Sequence, residues 1–105
     1  YPPARAFCNN VLKEMGVEVQ YYDPCIGAGI SKLIKSNTSF IHMESPGSAT
    51  FEVQDVDAIV AAAKKRKVVT IFDNSWSGGY LFRPFEHGVD VVLQSVSKYV
   101  GGHSD

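Results

Sequence analysis

Two nearly continuous apolar runs constrain the fold of this 105-residue chain more than any other feature. They are VVTIF within residues 67–73 and VDVVLQ within residues 89–95. Runs without polar alternation are typical of parallel strands that are buried on both faces and lie inside a sheet. Consecutive parallel strands are joined by right-handed crossovers, which place helices on the faces of the sheet. The two runs therefore predict an open parallel α/β sheet.

The rest of the chain alternates between helical and strand patterns. Apolar spacing predicts helices at residues 3–15, 56–66 and 82–87, and a short helix that contains residues 30–34 and has Asn37 near its end. Asp55 is the predicted cap of the helix at residues 56–66. Polar alternation predicts two further strands, at residues 17–22 and 39–44. The order β-α-β-α-β-α-β predicts an open, mostly parallel sheet with helices on both faces.

Composition argues against several classes of function. The net charge is −1, and the one basic run, KKRK at 64–67, closes a predicted helix, so nucleic-acid or membrane-surface binding has no electrostatic support. No apolar stretch approaches the roughly 20 residues of a membrane span. Cys8 and Cys25 have no metal or redox spacing and are expected to be reduced thiols. No GxGxxG or Walker A loop is present, which leaves nucleotide binding without a motif.

The three histidines do not predict a metal site. His42 lies within a predicted strand and is expected to be a core residue, His87 is expected at the surface or at a helix cap, and His103 lies in the loop GGHSD. They are too scattered along the chain to ligate one ion, so no metal is expected.

Polar residues that could carry chemistry follow the two apolar strands. In open α/β sheets, ligands bind at the carboxyl ends of the strands. Asp73 follows VVTIF and Lys98 follows the next strand, with Ser95 and Ser97 beside it. Alone, Asp73 would be a turn residue and Lys98 a solvated one. Together they offer an amine suited to Schiff-base formation, a carboxylate for a ring nitrogen and hydroxyls for a phosphate, the groups that pyridoxal phosphate requires.

The motifs also resemble a known family. The stretches YPPARAFCNNVLKEMGVEVQYYDP, ESPGSATFEVQDVDAIV, DNSW and SVSKYVGGHSD resemble the Cys/Met-metabolism family of pyridoxal-phosphate enzymes, in order and over essentially all 105 residues. The form ESPGS, in place of the commoner ESPTN, is similar to the bacterial cystathionine β-lyase branch.

The resemblance implies a role for each candidate site residue. Lys98 matches the lysine that forms the Schiff base with the cofactor, and Asp73 matches the carboxylate that keeps the ring nitrogen protonated. Ser95 and Ser97 match the phosphate-binding hydroxyls. Tyr1 matches the tyrosine that stacks on the ring near the reacting atoms. Ser48 stands where many relatives have an asparagine near the ring oxygen, and a serine can donate a hydrogen bond there.

The resemblance further implies an activity and a setting. The activity is a β-elimination that converts cystathionine to homocysteine, pyruvate and ammonia in methionine biosynthesis. Residues 1–105 are expected to be the central part of the large cofactor-binding domain, without its N-terminal segment and the C-terminal small domain, and inactive alone. The whole enzyme is expected to be a cytoplasmic homotetramer that acts on a small amino acid.

Three alternatives remain open from the sequence. Cystathionine γ-synthase, cystathionine γ-lyase and methionine γ-lyase would use the same residues on a different carbon. A nucleotide-binding α/β domain would need no cofactor lysine. A non-catalytic relative would keep the fold as an interaction module, although retention of Lys98 and Asp73 argues against it.

Overall fold

The sheet at the centre of the molecule has three parallel strands. The computed structural model describes residues 1–104, in which β1 (Phe40–Glu44), β2 (Val69–Asp73) and β3 (Val91–Leu93) pair in the order β1-β2-β3. Both strand pairs are parallel, and β2 is the central strand. The prediction of an open parallel α/β sheet is confirmed, as is the central place of β2.

The first and third predicted helices along the chain begin close to their sequence signals, whereas the second lies earlier in the chain than predicted, at Gly27–Lys32. Helix α1 (Pro2–Phe7) starts at a proline and continues into a π-helical segment, Cys8–Leu12. Helix α2 (Val56–Lys65) is capped by Asp55, whose Oδ1 accepts a hydrogen bond of 3.0 Å from the Ala58 amide. Two short 3₁₀ helices, Gly27–Lys32 and Pro84–His87, complete the set. Within residues 1–104, no helix is both long and apolar enough to cross a membrane.

One face of the sheet is covered and forms the core. Helix α2 packs on this face, where β1 contributes Ile41 and Met43 and β2 contributes Phe72. The buried apolar residues are Ile30, Ile34, Ile41, Met43, Val56, Ile59, Val60, Ala62, Ala63, Val68, Phe72 and Val89. The amphipathic pattern of α2 thus places its apolar side on the sheet and its lysines in solvent.

The opposite face of the sheet is open within the described residues. Phe40, Val69, Val91 and Leu93 are each between 41% and 44% exposed there. The prediction that the two apolar strands are buried on both faces is therefore wrong for residues 1–104, because α2 covers only one side. His42 alternates with the buried Ile41 and Met43 and lies on the open face, so its prediction as a core histidine is also wrong.

Residues 17–22 are not part of a strand. They line a groove of about 690 Å³ together with residues 39–42. The prediction of a strand at residues 17–22 is therefore wrong. A strand needs a neighbour at hydrogen-bonding distance, which alternation in the sequence does not supply.

A polar clamp holds the register of β2 and β3. Thr70 is fully buried in β2, and Asp90 immediately precedes β3. One carboxylate oxygen of Asp90 accepts hydrogen bonds of 2.8 Å from both the amide and the hydroxyl of Thr70, and the Asp90 amide donates to that hydroxyl at 3.1 Å. These bonds lower the pKa of Asp90. The clamp fixes which residues of the two strands end side by side.

Candidate active site

The candidate residues gather at the carboxyl edge of the sheet. Glu44 and Asp73 are paired in register at the ends of β1 and β2, and Asp73 is paired with Leu93 at the end of β3. Ser48 follows β1, whereas Ser95, Ser97 and Lys98 follow β3. This is the edge at which parallel α/β sheets bind ligands.

Asp73 lies in the middle of this edge and is partly buried. Its Oδ1 accepts a hydrogen bond of 3.0 Å from the Ser75 amide, so the residue also shapes the turn that follows β2. The turn role and the candidate ligand role are compatible, because a carboxylate has two oxygens and several acceptor sites.

Two hydrogen bonds join the loop after β2 to the end of β3 and to the loop that follows it. The Asn74 amide donates to the Leu93 carbonyl at 2.8 Å, and the Ser95 amide donates to the Ser75 hydroxyl at 2.8 Å. Asn74 is itself buried, and its side chain bonds the Phe82 carbonyl at 3.0 Å. The segment that carries Lys98 is therefore fastened to the segment that carries Asp73.

Lys98 and two serines form a compact polar cluster. Lys98 Nζ donates to Ser95 Oγ at 3.1 Å and to Ser97 Oγ at 3.4 Å, and the two hydroxyl oxygens are 3.0 Å apart. Both serine oxygens accept from the lysine, and only one hydroxyl proton is needed between them. The other proton is left to donate outward, so the cluster presents a cation and a hydroxyl donor to an anion.

Glu44 organises the third group at this edge. The Ser48 hydroxyl donates to Glu44 Oε1, and the amino group of Tyr1 lies 2.6 Å from Glu44 Oε2. The Tyr1 side chain is exposed. Because a hydroxyl has one proton, Ser48 presents only lone pairs to the site in this arrangement. The predicted donation by Ser48 to a ring oxygen would require Ser48 to turn away from Glu44.

The electrostatics of the open face involve His42. His42 is exposed, but neighbouring groups remove part of its water, and this desolvation lowers the pKa of the imidazole. The nearby carboxylates of Asp73 and Glu44 oppose that shift without reversing it. The imidazole lies on the same face as both carboxylates, because residues 42 and 44 alternate with the core-facing positions of β1. The site therefore has a histidine with a weakened affinity for protons beside its acidic residues.

Other residues of the loop after β2, and His87, make structural contacts. Trp76 packs edge-on against Phe51, with ring centroids 5.6 Å apart, and Gly78 and Gly79 form a turn with positive φ angles of 58° and 79°. His87 contacts Asp57 Oδ1 at 2.8 Å. Across residues 1–104, no group of three or more histidine, cysteine or acidic side chains could hold a metal ion.

Two contributors to the site escaped sequence reasoning. Glu44 stood in the motif ESPGS without a role, although its place at a strand end beside Asp73 was a usable signal. Ser75, in DNSW, links the two loops through a bond between residues 20 positions apart, which leaves no local signal in the sequence.

The chemistry of the edge fits one class of ligand. A lysine amine, two hydroxyls and a carboxylate on the neighbouring strand match the aldehyde, phosphate and ring nitrogen of pyridoxal phosphate. The site and the parallel sheet define an α/β enzyme domain of the pyridoxal-phosphate class.

The sequence places the chain in a family of that class. A profile of the Cys/Met metabolism PLP-dependent enzymes matches residues 1–105, and the chain belongs to this family, whose cofactor is pyridoxal phosphate. The chain is 46% identical over 107 residues to a cystathionine beta-lyase of Haemophilus influenzae and 50% identical over 105 residues to an L-alanine/L-glutamate racemase of Wolbachia pipientis. In both comparisons all of this chain is covered.

The fold of this chain matches that of a solved structure. A crystal structure from Campylobacter jejuni, described as an O-acetylhomoserine (thiol)-lyase, carries a pyridoxyl-lysine phosphate group and matches with a TM-score of 0.90 at 36% identity. The match covers 97% of this chain and 25% of that one. The chain spans about a quarter of the length of the relatives, 27% and 26% of the two named above.

Proposed function

We propose that the full-length protein is a pyridoxal-phosphate-dependent carbon–sulfur lyase that cleaves cystathionine by β-elimination to homocysteine, pyruvate and ammonia. The observation that carries the proposal is the Lys98–Ser95–Ser97 cluster, fastened through Ser75 to the strand that ends in Asp73. Identity to the Haemophilus influenzae cystathionine beta-lyase supports the choice of substrate.

Lys98 is proposed to be the covalent attachment point and the base. When bound, pyridoxal phosphate supplies an electron sink that allows a Cα–H bond and then a Cβ–S bond of the amino acid to break. Lys98 Nζ would hold the cofactor and, when freed by the amine of the substrate, would take the Cα proton. The same amine or the Tyr1 hydroxyl would then return a proton to the sulfur that leaves.

The other residues are proposed to hold the cofactor. Asp73 would keep the ring nitrogen protonated, because a carboxylate at that position stabilises a cation. Ser95 and Ser97 would bind the phosphate with the hydroxyl proton that the hydrogen bond between them leaves free. Tyr1 would stack on the ring, and Ser48 would contact the ring oxygen.

A racemase is a second candidate function. The Wolbachia pipientis relative named as an L-alanine/L-glutamate racemase is 50% identical to this chain. Racemisation shares the removal of the Cα proton by Lys98 but returns that proton to the opposite face without breaking a Cβ–S bond. The γ-synthase, γ-lyase and methionine γ-lyase alternatives also share this first step. A nucleotide-binding domain and a non-catalytic interaction module receive no support from the family.

The full-length protein provides the test. We expect a visible absorbance band of the lysine-bound cofactor, abolished in Lys98→Ala and retained in Lys65→Ala, a control lysine at the exposed end of α2. Cystathionine should then give pyruvate. Production of α-ketobutyrate would identify a γ-elimination, and conversion of L-alanine to D-alanine would identify the racemase. A band that survives in Lys98→Ala would refute the assignment of the lysine.

The setting of the enzyme is part of the proposal. Residues 1–105 would form the central part of a large cofactor-binding domain, inactive when expressed alone. We also propose that the whole enzyme is a cytoplasmic homotetramer. Sedimentation of the full-length protein tests the oligomeric state.

A further inference from the structure

Glu44 is the acidic residue at this edge to which no role has been given. It is the last residue of β1, paired in register with Asp73 on β2, and its side chain is only 13% exposed. A carboxylate so far removed from water needs hydrogen-bond partners, because an unpartnered buried charge is costly.

Its side-chain partner is a candidate site residue. Ser48 donates its hydroxyl proton to Glu44 Oε1. Ser48 is itself exposed, so little other packing fixes the position of its hydroxyl. The Glu44 carboxylate therefore holds the turn after β1 against the end of that strand.

We propose that Glu44 is a positioning residue for the candidate active site: its carboxylate orients the Ser48 hydroxyl toward the cofactor ring. The inference rests on the proposed function and extends it to a residue that touches neither cofactor nor substrate. Glu44 also determines whether the Ser48 hydroxyl acts as a donor or as an acceptor toward a ligand. With its proton given to Glu44, Ser48 acts as an acceptor, so the group that binds there supplies the donor.

The test measures cofactor affinity in the full-length apoprotein. The dissociation constant of pyridoxal phosphate is determined by equilibrium dialysis for Glu44→Ala, Glu44→Gln, Ser48→Ala and the Glu44→Ala/Ser48→Ala double variant. We expect Glu44→Ala to weaken binding about tenfold, because Ser48 loses its hydrogen bond to a charged partner and only part of that loss reaches the cofactor through Ser48. Glu44→Gln keeps an acceptor oxygen and should stay within about twofold of the parent.

The double variant separates positioning from a general structural effect. If Glu44 acts through Ser48, the double variant binds no more weakly than the weaker single variant, because the second substitution removes nothing further. Glu86→Gln, at a surface ion pair with Arg83, is the matched control and should not change the affinity.

Several results would overturn the inference. They are additive losses in the double variant, equal losses in Glu44→Ala and Glu44→Gln, or an unchanged affinity in Glu44→Ala. The proposed function is tested separately by the band of the parent protein and its loss in Lys98→Ala. If that band is present while the Glu44 series behaves additively, the positioning role alone fails. If no band depends on Lys98, both proposals fail.

Discussion

Replacing Asp90 with alanine should loosen the sheet that carries the active site. The side chain accepts two hydrogen bonds from Thr70, each of 2.8 Å, and Thr70 is fully buried. The variant leaves the Thr70 amide and hydroxyl without this acceptor. A buried donor that loses its partner costs about 1–3 kcal/mol. Asp90 itself is exposed, so water can replace part of what is lost, and we expect about 2 kcal/mol in total.

Hydrogen exchange in the full-length protein measures this loss directly. A peptide that contains β2 reports the opening of the Thr70 amide. A loss of 2 kcal/mol corresponds to about 30-fold faster exchange, since each 1.4 kcal/mol is a factor of ten. Asp57→Ala is the matched control, because Asp57 makes one surface contact with His87 and its side chain is 72% exposed. That variant should change exchange of the β2 peptide by less than about fivefold.

The pH dependence adds a second check on Asp90. The hydrogen bonds from Thr70 hold the pKa of Asp90 below its ordinary value of 3.8. A carboxyl group whose pKa is lowered by folding contributes its full stabilisation at pH values above its pKa in the unfolded chain. That contribution is lost as the pH falls through its pKa in the folded protein. The difference between the parent and Asp90→Ala should therefore shrink in acid. Equal exchange in the parent, Asp90→Ala and Asp57→Ala at neutral pH would refute the clamp.

Three further predictions concern single residues. Desolvation lowers the pKa of His42 in the folded protein below 6.5, so the free energy of unfolding should rise with pH between that lowered pKa and 6.5. His42→Phe should flatten that part of the pH profile. Burial raises the pKa of Tyr22 to about 12, so stability should fall as the pH rises from 10 to 12, and a tyrosinate absorbance titration should lose its highest step in Tyr22→Phe. Ser75→Ala removes the acceptor for the Ser95 amide, a bond of 2.8 Å, and should raise the dissociation constant of pyridoxal phosphate about fivefold in the full-length protein. An unchanged constant would show that the bond does not hold the Lys98 loop.

Local signals predicted helix α2 well. Asp55 caps α2 as expected, because an N-cap depends on a side chain and an amide only three residues apart. The apolar run of β2 predicted a central strand because its composition reflects burial rather than partner identity. The start of β3 was less predictable. Asp90 lay inside the strand predicted within residues 89–95, whereas the observed strand begins at Val91 and the Asp90 side chain bonds Thr70, 20 positions away.

Long-range contacts account for the failures. The alternation of residues 17–22 predicted a strand, but pairing needs a neighbouring strand, and the described residues provide only a groove there. The face of the sheet on which His42 lies also depends on a long-range contact. Its position within a strand was clear, whereas the face it occupies depends on which side α2 covers.

For the active site, the sequence alone determined which chemical groups stand at the strand ends. Lys98, Ser95 and Ser97 after one apolar run and Asp73 after the other follow from local pattern and from the rule that parallel strands end at one edge. Only the tertiary structure decided how these groups are connected. Three hydrogen bonds make these connections: the Ser95 amide donates to Ser75, Thr70 donates to Asp90, and Ser48 donates to Glu44. The first two join segments that are distant in the sequence. Hydrogen bonding depends on distance and angle in space, which a one-dimensional pattern does not contain.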